Sequence, residues 1–236
     1  LSRAAAEHVK GVDRATAVAF PLPPDAEREM GVSLSRRIPV IEHALSARWR
    51  EFGAEAANSA LVTRQRGRYE FRVAAGGGVN AFAVPGGFVY ATPALLERFA
   101  RDEDALLFVL GHEIAHVELG NCAYGYRLRA GARGTAGKAA GAVLSVGRFF
   151  AQLHFSPSQE LEADLFAARL VAERRRDPAG GLRALGLLGL TGDTGTKRDP
   201  GAVVGEGVVD YFRTHPGSWE RRAALEHEIA RLREAR

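Results

Sequence analysis

Apolar residues recur along most of the chain at the three-and-four spacing of a helix face, interrupted once by short alternating stretches. Over residues 25–52, Met30, Leu34, Ile38, Ile41, Leu45 and Trp49 keep helical spacing, and Pro39 is placed to kink or divide that helix. Upstream, Pro21, Pro23 and Pro24 break an Ala-rich, weakly patterned arm from the rest. Alternation over 69–73 predicts a strand, and 79–84 and 88–91 predict two more. Gly76-Gly77-Gly78 and Pro85-Gly86-Gly87 supply the loop and the turn between them. Thr92 and Pro93 read as the N-cap and first residue of a short helix reaching Ala100. Asp102, Glu103 and Asp104 suit the positive end of the next helix, which Gly120 and Asn121 terminate. Ser156 and Gln159 have capping-box spacing with Pro157 at the first helical position, predicting a helix to Glu173. Residues 191–201 read as a loop. Helices are expected over 203–213 and 218–233, with His215, Pro216 and Gly217 between them.

These elements predict an α+β fold, mainly helical with one small antiparallel sheet. The domain is expected over 25–236, preceded by an N-terminal arm over 1–24, and the chain shows no internal repeat. Residues 131–147 are rich in Gly and Ala and carry little pattern. Residues 139–155 come nearest to a membrane span, but Arg148 and Gln152 interrupt them. Within that stretch Val143, Leu144, Val146, Phe149, Phe150 and Leu153 gather on one helical side, which predicts a lid or a membrane-surface contact.

Composition narrows the classes. Of 236 residues, 46% are hydrophobic and 25% charged, the usage of an ordinary globular chain rather than a disordered one. The net charge of +4 invites a nucleic-acid reading. However, only Lys10, Lys138 and Lys197 are lysines, and the arginines are dispersed apart from the run Arg174-Arg175-Arg176. A codon bias accounts for that better than a phosphate-binding footprint, so no nucleic-acid partner is expected. Cys122 is alone, which excludes an internal disulfide and leaves the compartment open. Leu1 is not an initiator residue, so a targeting or anchor segment is expected to precede it.

The strongest chemical signal is His112-Glu113-Ile114-Ala115-His116. Histidines four apart on a helix stand one above the other and can share a cation, while the glutamate beside them can act as a general base. At this chain's His and Glu content the pattern is expected about 0.02 times by chance. Two histidines and a glutamate in an apolar helix are also costly to bury without a purpose. A catalytic zinc takes three protein ligands and leaves one position open. Glu160 and Asp164, four apart on one face of their helix, are candidates for the third, with the other orienting a histidine; Glu162 lies on a different face. Cys122 is better read as a packed thiol than a ligand. His8, His43, His154 and His227 have no partner spacing.

Several further stretches, in order, join this one: Pro24-Asp25-Ala26-Glu27-Arg28-Glu29-Met30-Gly31, Asn80-Ala81-Phe82-Ala83-Val84-Pro85-Gly86-Gly87-Phe88-Val89-Tyr90, Gln159-Glu160-Leu161-Glu162-Ala163-Asp164, and Thr214-His215-Pro216 through Glu220-Arg221. Together they resemble the HtpX and CAAX prenyl endopeptidase family of zinc metallopeptidases, most closely its soluble BepA-like bacterial branch. The resemblance covers about residues 21–225. It implies a minimal zincin-like domain holding one Zn2+ through His112, His116 and Glu160, with Glu113 as base and Asp164 holding a ligand histidine. It implies that His215 is a mobile histidine near the metal, either a transition-state donor or an inhibitory fourth ligand, with Arg221 close by as a second catalytic candidate. Asn80, Ala81, Phe82, Ala83 and Val84 would form the edge strand to which an extended protein substrate adds. It also implies a role in envelope protein quality control, in the bacterial periplasm or at a membrane. Neither the transmembrane helices of some members nor the C-terminal helical repeats of others are expected, so substrate recruitment is not expected to be inherited from either. Rival readings are a zinc-bound chaperone or binding module using the same groove, and a latent protease.

Overall fold

The computed structural model describes residues 23–123, 155–189, 215 and 219–235. Its helices are α1 (Pro24–Ser35), α2 (Ser46–Ala57), α3 (Pro93–Arg98), α4 (Glu103–Glu118), α5 (Pro157–Glu173), α6 (Gly180–Leu187) and α7 (Trp219–Glu234). Its strands are β1 (Glu70–Val73), β2 (Ala81–Val84) and β3 (Phe88–Ala91). The mainly helical α+β class is the one expected. The expectations for the arm up to residue 22, for 124–154, for the loop at 191–201 and for a helix at 203–213 lie outside the described residues.

The helical pattern over 25–52 belongs to two helices. After α1 the chain runs non-helically past Pro39, where Val40 bridges Ala74. Proline removes an amide donor and crowds the preceding turn, so the division falls there. Leu34, Ile38 and Trp49 enter the core, whereas Ile41, carried on the non-helical link, is 41% exposed.

The three strands lie in the order β1-β3-β2. β2 and β3 form the antiparallel hairpin across residues 85–87, but β1 pairs with β3 in parallel, from Glu70↔Phe88 to Val73↔Ala91. The sheet is therefore mixed, which corrects the antiparallel expectation. Residues 74–80 explain it. A seven-residue link reaches up to about 24 Å, ample to step over two strand spacings of about 4.8 Å and leave a gap that β3 fills. Every residue of β2 and β3 is buried, so their sequences are continuously apolar instead of alternating. Thr92 stands at the N-cap of α3 without capping it. Its hydroxyl instead donates to Gly78 O (2.6 Å) and accepts from the Asn80 amide (3.0 Å), tying the link to the end of β3.

α4 is buried at every residue from 105 to 117, as expected of a helix apolar on all sides. It packs against α5, α6 and β2. Asp102 caps its start by accepting from the Ala105 amide (3.0 Å), and Gly120, at φ 72°, turns the chain beyond its end. α5 opens with the capping box: Ser156 Oγ accepts from the Gln159 amide, and Gln159 Oε1 accepts from the Ser156 amide (2.8 Å). A Cβ at Gly111 would stand 3.2 Å from Ala167 Cα, so this glycine sets the close approach of α4 and α5 one residue before His112. α6 has no sequence signal of its own, since Gly180, Gly181 and Gly186 are poor helix formers. It forms by packing. Side chains at Gly180 and Gly181 would collide with the Asp104 backbone and the Phe108 ring.

Candidate metal centre

α4 presents His112, Glu113 and His116, α5 presents Glu160 and Asp164, and α7 presents Arg221 from its first turn. His215 joins them from ahead of α7. All seven are at most 2% exposed. His112 Nε2 lies 3.1 Å from His116 Nε2, 3.2 Å from His215 Nδ1 and 3.5 Å from Glu160 Oε2. Glu160 Oε1 is 3.4 Å from His116 Nε2 and 2.9 Å from His215 Nδ1. One donor atom from each of His112, His116, Glu160 and His215 lies within 4.8 Å of the other three.

Those separations suit a small ion. Ligands bonded at 2.0–2.1 Å in a tetrahedron stand about 3.3–3.4 Å apart, and most of the distances above bracket that edge. The charges also fit. With the imidazoles neutral, as metal ligation requires, the carboxylates of Glu113, Glu160 and Asp164 face one guanidinium among the described residues, Arg221, which leaves up to two negative charges in a buried site. Such an excess is costly unless a cation balances it. The residues present therefore fit a divalent metal.

The surrounding contacts aim the donors. Asp164 Oδ1 lies 2.9 Å from His112 Nδ1, which keeps a proton there, so that in the neutral ring the lone pair of Nε2 faces the cluster. Arg221 grips Asp164 with two donors, Nε at 2.7 Å and Nη2 at 2.8 Å, and reaches Glu160 Oε2 with Nη1 at 2.8 Å. The resemblance implies a catalytic candidate close to His215; the side chain is engaged by the two carboxylates. Burial raises both of those carboxyls, but the neighbouring His215 and Arg221 hold Glu160 well below its ordinary value, and Arg221 and His112 hold Asp164 below. Burial likewise acts to lower His112, yet Asp164 and Glu160 outweigh it and bring that imidazole up to about 9. For His116 burial prevails over Glu160, and the value falls to about 3. Glu113 is pushed up by burial. Among the described residues neither of its oxygens completes a hydrogen bond; His215 Nε2 stands 3.5 Å from Oε1, and the Ala83 main chain is near enough to favour the charged form.

Ala81 to Val84 form β2, at the edge of the sheet among the described residues, with Asn80 just before it, and each of the five is at most 1% exposed. Ala83 turns its main chain to this side, with its carbonyl accepting from the Cys122 thiol at 3.7 Å. Cys122 is thus a buried thiol outside the cluster, as its sequence context indicated. Two residues with no sequence signal also line the site. Phe155 lays its ring on His116, with centroids 3.6 Å apart and planes at 8°, and Asn121 Nδ2 lies 3.1 Å from His116 Nδ1.

Among the described residues no helix is long and apolar enough to cross a membrane. Residues 44–229, a span holding every site residue above, match the family model for Peptidase family M48. No curated protein matches the chain.

Proposed function

The chain belongs to peptidase family M48, a family of metalloproteases, and from that premise we propose that it is a zinc-dependent endopeptidase of the HExxH kind. His112, His116 and Glu160 hold the ion, and a donor set of imidazoles with a carboxylate suits zinc. Zinc held there supplies a Lewis acid that polarises a peptide carbonyl and makes water a better nucleophile. Glu113 takes the proton from the attacking water and returns it to the departing amine. Its raised pKa and its two oxygens without a completed hydrogen bond suit both transfers. Asp164 keeps His112 in the tautomer that binds metal, and Arg221 offsets the charge of Asp164 and Glu160. An extended segment of an unfolded protein adds along the main chain of Asn80 to Val84, and because each of these residues is at most 1% exposed, that edge has to be uncovered first. The envelope setting and the BepA-like branch are part of the proposal and rest on the resemblance of motifs.

The carrying observation is the convergence of four buried donor atoms, from two helices and His215, beside a Glu113 whose oxygens complete no hydrogen bond among the described residues. The test is casein digestion by purified protein with and without a chelator, alongside elemental analysis. About one zinc per chain and chelator-sensitive cleavage are expected. Less than a tenth of that zinc, with no recovery on adding it, ends the reading.

A second reading concerns the state of the enzyme, and His215 favours it. Its Nδ1 sits in the donor cluster while its Nε2 faces Glu113, so the ring stands where the reacting water has to enter. We read this as a latent arrangement in which His215 is the fourth ligand and withdraws before catalysis.

A further inference from the structure

Asn121 lies just beyond α4, after Gly120 has turned the chain. Its side-chain amide bridges the two ligand-bearing helices. On one side it meets His116 Nδ1 at 3.1 Å; on the other its Oδ1 accepts from Gln159 Nε2 at 3.3 Å. Gln159 precedes Glu160, and its own Oε1 is held by the Ser156 amide in the capping box. A continuous line of hydrogen bonds therefore runs from the start of α5 to the second histidine of α4.

That line has a direction. The Ser156 amide can only donate, so Gln159 presents its oxygen to it and its nitrogen to Asn121. Asn121 then presents its oxygen to Gln159 and its nitrogen to His116. An amide nitrogen facing Nδ1 requires a lone pair there and places the imidazole proton on Nε2. Nε2 is the atom turned towards His112 and Glu160. A metal ligand needs the opposite tautomer, with Nε2 bare and Nδ1 donating to an acceptor. Phe155, stacked flat on the ring, fixes its plane without choosing between the tautomers.

We propose that Asn121 is the positioning residue that selects the tautomer of His116, and that the capping box biases it towards the metal-free form. The inference rests on the zinc reading of the site. Zinc binding must turn the Asn121 amide over, or bring Oδ1 within reach of both Gln159 and His116. A carboxylate at this position accepts from both neighbours with no such conflict, whereas an apolar side chain accepts from neither.

The test is the zinc affinity of the full chain by chelator competition, for wild type, Asn121→Asp and Asn121→Leu, with the metal-free thermal stability of each. Asn121→Asp is expected to bind zinc about tenfold more tightly than wild type, and Asn121→Leu, which removes the bias but offers Nδ1–H no acceptor, about tenfold more weakly than Asn121→Asp. A merely structural role would shift metal-free stability and zinc affinity alike in both variants, and that outcome overturns the proposal. So does looser binding by Asn121→Asp. In wild type, nitrogen-15 spectra should show the His116 proton moving from Nε2 to Nδ1 on zinc loading, a readout that survives if either variant fails to fold; a proton on Nδ1 in both states sinks the bias. If wild-type protein binds no zinc, the metal reading itself fails and takes this one with it. If it binds zinc but the two variants behave alike, only the role of Asn121 is lost.

Discussion

The two ends of α4 use the same chemistry in opposite surroundings. At its N-terminus Asp102 pairs with Arg183 (2.6 Å), and Glu103 pairs with Arg48 (2.8 Å) and Arg176 (3.0 Å), on side chains 24–46% exposed. At its C-terminal half, His112, Glu113 and His116 meet Glu160, Asp164 and Arg221 with at most 2% exposure. The exposed end fastens α4 to its neighbours under water's screening, where each pair contributes about 1 kcal/mol or less. The buried end forgoes hydration of several charges, and removing one partner there costs several-fold more. An unfavourable cluster like this persists where it serves a reaction, whereas the exposed lattice needs only stability as its reason.

Substitutions at each end should separate the two. The largest effect is expected at Glu113. Glu113→Gln preserves shape and charge-free packing, so zinc content by elemental analysis should be unchanged while casein cleavage falls about 10²- to 10⁴-fold. Full activity in that variant would remove Glu113 from the reaction. Next comes Arg221→Leu, which strips two buried carboxylates of their counter-ion. Denaturant unfolding should show a loss of about 3–5 kcal/mol, smaller when zinc is present, and a loss below 1 kcal/mol would mean the cluster is better solvated than its burial indicates.

His215→Ala should raise proteolysis several-fold at unchanged zinc content if the histidine blocks the resting site. A fall of about a hundredfold would assign it instead to support of the oxyanion. The smallest effect belongs to the exposed end. Arg183→Ala should cost about 1 kcal/mol or less at neutral pH, and less still in high salt. The pH sign follows from Asp102, whose carboxyl Arg183 holds below its ordinary value against the opposing effect of burial. A carboxyl lowered by folding stabilises above its unfolded pKa, about 3.9, and loses that contribution as pH falls through the folded value. The stability gap between wild type and Arg183→Ala should therefore close below about pH 4. A gap that persists there would assign the effect to packing of the arginine stem.

Much of this molecule was legible before its structure. α5 begins and ends where its capping box and its last apolar turn place it, and β3 falls on the residues read as a strand. The mixed sheet was not legible, because pairing partners depend on how residues 74–80 travel and not on alternation within each strand. Nor was α6, whose glycines argue against a helix until Asp104 and Phe108 are seen against them.

What the sequence by itself determined is set by local spacing. His112 and His116 share a helix face, Glu160 and Asp164 share another, and Glu113 lies beside the first, because 3.6 residues per turn leaves no alternative once those helices form. What tertiary structure decided is which atoms face each other across gaps of 38 to 103 positions in the chain. Arg221 turns to Asp164 and Glu160, His215 enters by Nδ1, and Asn121, only five positions from His116, meets Gln159 across 38. Those relations follow from how closely α4 and α5 approach at Gly111 and Ala167, and a packing distance of that kind is not written in any single segment.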